Sequence, residues 1–350
     1  MDESMEVVCE TRGEAGLITL NRPSALNALT LTMTREMRRA LDSWGKDPAV
    51  TRIVVQGAGG KAFCAGGDIR RLTDLLKAGE KDEALAFWRE EYQLNALIKR
   101  YPKPYVSLID GIVMGGGVGV SLHGSHRVAG ERYLFAMPEV AIGFFPDVGA
   151  TYALPRLPGR TGMYLALTGE RVRRADAMML GLATHAVESA RLEALREALA
   201  AGEPVEQALA GASADPGPAP LAAEREAIDA CFSAGSVSAI LQRLDEAAAG
   251  GSEFAARTAA AMRTKSPTSM SLAFEQVRRG ASLDFEEAMR TEFRIVSRIP
   301  EGHDFYEGVR AAIIEKGSQP RWRPASLEEV DRAVIERHFA GLGEQELEIV

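Results

Sequence analysis

Cysteine is scarce in this chain. Cys9, Cys64 and Cys231 are the only three and lie far apart, which excludes a disulfide framework or a cysteine-rich zinc site and points to a reducing compartment. Cationic charge is also in short supply: 41 Lys and Arg stand against 49 Asp and Glu, a net charge of −8. With no basic block in the sequence, a nucleic-acid surface is excluded as the main function. No run of about 18 apolar residues occurs, so no membrane-spanning helix is expected. The start, Met1-Asp2-Glu3-Ser4, is acidic and leads directly into Val7-Val8-Cys9 without a charged-then-apolar leader pattern. The expected compartment is the cytoplasm.

Familiar catalytic signatures are missing too. The run Gly115-Gly116-Gly117-Val118-Gly119-Val120 lacks the last glycine of the dinucleotide fingerprint. Gly60-Lys61 is followed by Ala62, and Val55 stands where a phosphate loop needs glycine. No Gly-x-Ser-x-Gly elbow occurs. His123 and His126 have no carboxylate or third ligand at a set spacing, so they read as a structural pair.

What is present is ordinary globular composition, 350 residues with 46% hydrophobic and 26% charged. That length suits one large domain or two modest ones. The periodicity divides the chain into an α/β part, residues 1–210, and a helical part, residues 211–350, joined at the Gly/Ala/Pro-rich stretch 211–220. In the first part, short β-prone runs at 6–11 and 16–20 suggest a hairpin. A helix follows from Thr30 or Thr32 to about Trp44, with Met33, Met37, Leu41 and Trp44 at helical spacing. Next come a buried-type strand over 52–57, a glycine turn through Gly66-Gly67, and a long helix over about 82–100. A strand over 105–110, a loop over 111–117 and a helix from Val118 repeat the order of strand, glycine turn and helix. The repetition predicts a superhelix of ββα turns rather than one flat doubly wound sheet. Further on, 134–137 and 183–187 read as strands, and 148–154, 161–167 and 174–180 as helices. Six helices are expected beyond the linker: 222–232, 237–248, 253–264, 268–279, 285–298 and 304–315. That region carries no obvious catalytic constellation of its own.

Chemistry concentrates between Met114 and Tyr152. Consecutive glycines let backbone N–H groups approach a ligand without Cβ obstruction. Two glycine turns, Gly66-Gly67 and Gly115-Gly116, each after a strand, can aim one N–H apiece at a single oxygen. Glu139 and Asp147 sit among Met, Pro, Ile and Phe, a setting in which an ionised carboxylate calls for a reason. Glu139 could instead be a cap or ion-pair residue, and Asp147 a turn residue. Cys64 is better read as a small buried residue beside a turn than as a nucleophile, because no base adjoins it.

These phrases resemble the enoyl-CoA hydratase/isomerase, or crotonase, superfamily. The resemblance rests on Asn21-Arg22-Pro23 with Leu26-Asn27-Ala28-Leu29, on Ala62-Phe63-Cys64-Ala65-Gly66-Gly67-Asp68, and on Asp110-Gly111 with Met114-Gly115-Gly116-Gly117. Within the superfamily, Phe87-Trp88-Arg89-Glu90-Glu91-Tyr92, Met137-Pro138-Glu139, Gly143-Phe144-Phe145-Pro146-Asp147-Val148-Gly149 and Asp304-Phe305-Tyr306-Glu307-Gly308 are similar to a thioester-hydrolase branch that acts on 3-hydroxyacyl-CoA. Hydratases of the superfamily carry a second glutamate just after the triple glycine, where this chain has Gly119.

The resemblance implies a crotonase fold and an acyl-CoA substrate, with no metal or redox cofactor and, as in many superfamily members, a homo-oligomer. Gly67 and Gly116 would hold the thioester oxygen. Glu139 would attack the carbonyl or activate a water, and Asp147 would position the substrate hydroxyl or that water. Glu91 would bind the polar acyl end, and Arg22, Leu26 and Ala65 would contact the CoA. A hydratase or isomerase is the rival enzyme, and a silent acyl-CoA-binding protein the rival of another kind.

Overall fold

The structure, a computed structural model, describes residues 5–349; the acidic start Met1–Ser4 lies outside the described residues. Strands β1 (Val7–Arg12) and β2 (Ala15–Leu20) form the antiparallel hairpin. Helix α1 (Leu31–Lys46) starts at Thr30, whose side chain accepts the N–H of Met33, and buries Met33, Met37, Leu41 and Trp44 as one stripe.

Three ββ units follow. The first is β3 (Arg52–Gly57), β4 (Ala62–Cys64) and helix α2 (Ile69–Lys77), which Asp68 caps. After the long helix α3 (Lys81–Lys99) comes the second: β5 (Tyr105–Ile109), β6 (Ile112–Met114) and a single turn of helix, α4 (Gly116–Gly119). The third is β7 (His126–Ala129), β8 (Leu134–Ala136) and a tight 3-10 turn, Glu139–Ile142. The first strand of each unit enters a six-stranded sheet and the second strand enters a four-stranded one. The fold is therefore the expected α/β superhelix of repeated units.

This division of strands positions the site. β4, β6 and β8 are parallel neighbours, with Ala62 beside Ile112 and Met114 beside Ala136. Adjacent strands lie about 4.8 Å apart, so the segments leaving their C-terminal ends emerge side by side. Those segments are Gly66-Gly67, Gly115-Gly116 and Pro138-Glu139.

Three expectations need correction. The stretch 111–117 is not all loop, because β6 lies within it; three residues are too few to show alternation. The helix expected from Val118 is the single turn α4, opening at Gly116 and ended by Val120. The helix expected from Val148 begins at Ala150, because Val148 (φ +54°) and Gly149 (φ +92°) are both left-handed.

The rest is mostly helical: α5 (Ala150–Ala153), α6 (Thr161–Thr168), then β9 (Val172–Arg173), α7 (Arg174–Leu180) and β10 (His185–Ala186). There follow α8 (Leu192–Ala200), α9 (Val205–Ala212), α10 (Arg225–Phe232), α11 (Val237–Ala249) and α12 (Glu253–Met262). The last four are α13 (Pro267–Gly280), α14 (Phe285–Val296), α15 (Asp304–Val309) and α16 (Arg332–Phe339). The helix expected over 304–315 widens after Val309 into a looser turn, Arg310–Ile314, and α16 was not anticipated. One apolar cluster runs from Ile18 and Leu20 on β2 through Trp88 on α3 to Phe293 on α14, so α13 and α14 reach the α/β core directly.

Candidate active site

The three strand-end segments face α3 across a cavity of about 360 Å³. Gly67, Gly116, Glu139, Asp147, Glu91 and Ala65 all line it, six of the residues expected at the site. Arg22 and Leu26 do not. The Arg22 guanidinium bonds Asp68 (2.9 Å) and the Ala28 carbonyl (2.6 Å) at an adjoining cavity. Leu26, with φ +51°, lies behind Ala65 and accepts its N–H at 3.0 Å.

Glycine is required where the walls approach. A methyl group on Gly116 would lie 2.5 Å from Glu91 Oε1 and one on Gly67 3.1 Å from the Phe87 ring, while Gly115 has φ +46° and a methyl there would lie 3.2 Å from Gly66 Cα. Among the described residues, no acceptor is bonded to the N–H of Gly67 or of Gly116. For Gly116 the reason is its place as the first residue of α4, where no preceding turn supplies a carbonyl.

Burial governs the carboxyl groups. Glu139 and Glu91 are 6% and 2% exposed, and desolvation, with the Asp147 charge next, raises both well above the usual carboxylate range. Glu139 Oε2 and Glu91 Oε1 are buried with no hydrogen-bond partner among the described residues, as are both polar atoms of Asn95 one turn further along α3. Asp147 is pushed up to about 7 by desolvation, against the Tyr92 hydroxyl, which donates to Oδ2 at 2.9 Å and pulls the other way. Trp88 stacks on Phe144, with ring centroids 5.9 Å apart, to make an apolar wall.

Other residues resolve as follows. Cys64 is buried and its thiol is pushed up to about 12 by desolvation, as suits an inert core residue. His123 and His126 point to different partners: His123 Nε2 donates to the Val148 carbonyl at 2.7 Å, and His126 Nε2 meets Glu206 at 2.9 Å. Among the described residues no group of three His, Cys, Asp or Glu could hold a metal ion.

Reading the sequence missed five contributors. Tyr92 carries the hydroxyl on Asp147. Arg70 lines the cavity with no side-chain partner among the described residues. Glu292 and Gln276 come from the C-terminal helices, which show no obvious catalytic constellation of their own in the sequence. Glu292 accepts the N–H groups of Gly149 and Thr151, each at 2.8 Å, and Gln276 donates to the Pro146 carbonyl. A signal for Glu292 did exist: it falls on the apolar stripe Phe285, Ala288, Met289, Val296 of α14, where a charged residue is out of place. No signal marked Ile313, which lines the cavity from the widened turn.

The enoyl-CoA hydratase/isomerase family profile matches residues 15–339. The chain belongs to that family. Similar curated relatives include the 3-hydroxyisobutyryl-CoA hydrolase, mitochondrial, of Xenopus tropicalis, 47% identical over 98% of this chain and 91% of that protein. The human protein of the same name is 45% identical over 99% of this chain and 91% of its own. Among solved structures, a carnitinyl-CoA dehydratase from Mycobacterium thermoresistibile superposes with a TM-score of 0.93 at 42% identity, covering 98% of each chain. An enoyl-CoA hydratase from Rhodobacter sphaeroides gives 0.92 at 40% identity, over 98% of this chain and 100% of that one.

Proposed function

We propose that the protein hydrolyses the thioester of 3-hydroxyisobutyryl-CoA, releasing the 3-hydroxy acid and CoA. One observation carries the reading: a desolvated Glu139 carboxyl with one unpartnered oxygen faces the cavity beside two glycine N–H groups that are free to bind an oxygen. The 43–47% identity to proteins of that name supports it. The dehydratase and hydratase names of similar solved structures pull another way, but Gly119 does not. A methyl group there would lie 2.8 Å from both Asn95 Nδ2 and Val148 Cβ, so no second acid/base side chain fits on α4.

The N–H groups of Gly67 and Gly116 form an oxyanion hole in this reading. They gain strength as the thioester oxygen takes on negative charge, and loss of one such donor costs about 3 kcal/mol of barrier. Glu139 supplies the attack, either on the carbonyl carbon to give a mixed anhydride or by taking a proton from water. Burial serves both routes, because a desolvated carboxylate is a stronger base. Asp147, oriented by Tyr92, positions the substrate hydroxyl or the water. Glu91, raised well above the usual carboxylate range by burial and by two neighbouring carboxylates, donates a hydrogen bond to the acyl hydroxyl as a neutral acid. Arg70 at the cavity and Arg22 beside it supply positive charge for the CoA phosphates, while Leu26 and Ala65 border the pantetheine.

No metal or redox group has a step in this scheme. A role in valine breakdown is part of the proposal. The unpaired Cys9, Cys64 and Cys231 suit a reducing compartment, for which we propose the cytoplasm, although the named relatives are mitochondrial. A homo-oligomer is part of the proposal, to be read by light scattering.

The test is a parallel assay of 3-hydroxyisobutyryl-CoA, 3-hydroxypropionyl-CoA and crotonyl-CoA, following thiol release and enoyl absorbance separately. Thiol release from the two hydroxyacyl substrates is expected. Loss of the enoyl absorbance without thiol release would overturn the hydrolase reading, and binding with neither change would favour a silent acyl-CoA-binding protein.

A further inference from the structure

Three side chains hold the turn that carries Asp147, at four of its backbone polar groups. Pro146 gives its carbonyl to Gln276 Nε2 of α13. Val148, a β-branched residue at φ +54°, gives its carbonyl to His123 Nε2 at 2.7 Å. Gly149, at φ +92°, and Thr151 give their N–H groups to Glu292 Oε2 and Oε1 of α14, each at 2.8 Å. Left-handed backbone at a β-branched residue is strained and persists only where surrounding contacts over-determine it. The four contacts are not equal. Gln276 and His123 each hold one carbonyl, whereas Glu292 holds two N–H groups with the two oxygens of one fully buried carboxyl group.

We infer that Glu292 is a positioning residue for the hydrolysis: its two carboxyl oxygens clamp the 146–151 turn so that Asp147 stays against Tyr92 in the cavity. Glu292→Gln would turn an amide NH2 towards one of the two N–H groups, so the turn would loosen.

The inference rests on the thioesterase reading, and its test separates the two. Wild type and Glu292→Gln are assayed for thiol release from 3-hydroxyisobutyryl-CoA across pH, with circular dichroism to confirm folding. The expected result is a kcat lowered on the order of 100-fold, the loss that a small misplacement of a catalytic group brings. KM should stay within about two-fold, since the variant leaves the groups that bind CoA in place. A folded variant with near wild-type kcat, or one in which KM rises as far as kcat falls, overturns the inference. If Glu292→Gln does not fold, Glu292→Asp, which draws the carboxyl group back by one methylene, should lower kcat with KM unmoved; wild-type kcat in that variant overturns the clamp. Amide hydrogen exchange of the wild-type protein reads the clamp without any assay: Gly149 and Thr151 should be strongly protected, and loop-like exchange there overturns it. Absence of thiol release by the wild type would sink the thioesterase reading alone and leave the exchange result standing.

Discussion

At the scale of the residue, two carboxyl groups with different partners divide the chemistry. Glu139 has an unpartnered oxygen in the cavity, so nothing in the protein competes with the substrate for it. Glu139→Gln keeps the shape and removes the proton acceptor; we predict thiol release slower by about 10²-fold or more, with CoA affinity retained by calorimetry. A near-normal rate would remove Glu139 from the mechanism. Asp147 differs in having the Tyr92 hydroxyl on Oδ2, a bond that stabilises its ionised form. Tyr92→Phe deletes the bond and leaves the ring packing. Asp147 should then hold its proton to higher pH, so the acid limb of kcat/KM should move up. A limb that stayed put or moved down would mean that Asp147 is not the group whose ionisation limits the rate. The two variants thus test attack and orientation separately.

At the scale of the element, the site is made by the ends of three short strands, and this sets how much could be read from sequence. Glu139 and Asp147 were legible because carboxylates among Met, Pro, Ile and Phe are anomalous on local grounds. Gly67 and Gly116 were legible because each glycine pair follows an apolar strand. What brings them together was not: β4, β6 and β8 are three residues each, and a run that short has no measurable period. The repeated unit could be inferred from the order of turns, but not its distribution over two sheets, which depends on pairing between residues some fifty positions apart, such as Ala62 with Ile112. The reach of α14 into the site was equally hidden, since only tertiary packing sets Glu292 against Gly149. The turn α4 gives an element-scale prediction. Gly119 is fully enclosed, with Val148 Cβ and the Asn95 amide each 2.8 Å from where its Cβ would stand, and Val148 is already held left-handed. Gly119→Ala should therefore cost about 1–3 kcal/mol of stability by overpacking, measured by urea denaturation. A neutral outcome would show that the Asn95 amide yields freely and that the space after the triple glycine is not closed.

At the scale of the whole molecule, the buried carboxyl groups reverse the usual dependence of an acidic protein's stability on pH. Glu91, Glu139, Asp147 and Glu292 come from α3, the turn after β8, the loop before α5, and α14, and the core cluster that buries them joins the α/β part to the C-terminal helices. All four are raised: Asp147 from 3.8 to about 7, Glu292 from 4.5 to about 8, and Glu91 and Glu139 well above 4.5. A carboxyl group whose folded pKa exceeds its unfolded one binds more protons folded than unfolded in the interval between them, so folding stability falls as pH rises through that interval. For Asp147 and Glu292 the fall begins above about 4 and is complete beyond about 8. Glu307, held down to about 2 by Arg310, and His123, pushed down to about 4 by burial, have the opposite sign; the first acts below 4.5 and the second fades above 6.5, and both are outnumbered by the four raised carboxyl groups. The ligand-free protein should therefore have a higher Tm near about pH 6 than near about pH 9. Glu139→Gln, with one of the four unable to ionise, should show a shallower decline. The measurement is scanning calorimetry in buffers of matched ionic strength. A Tm that is flat or rises over that range would mean that the four groups are not together, buried and short of partners, and the active-site electrostatics would have to be redrawn from the fold upward.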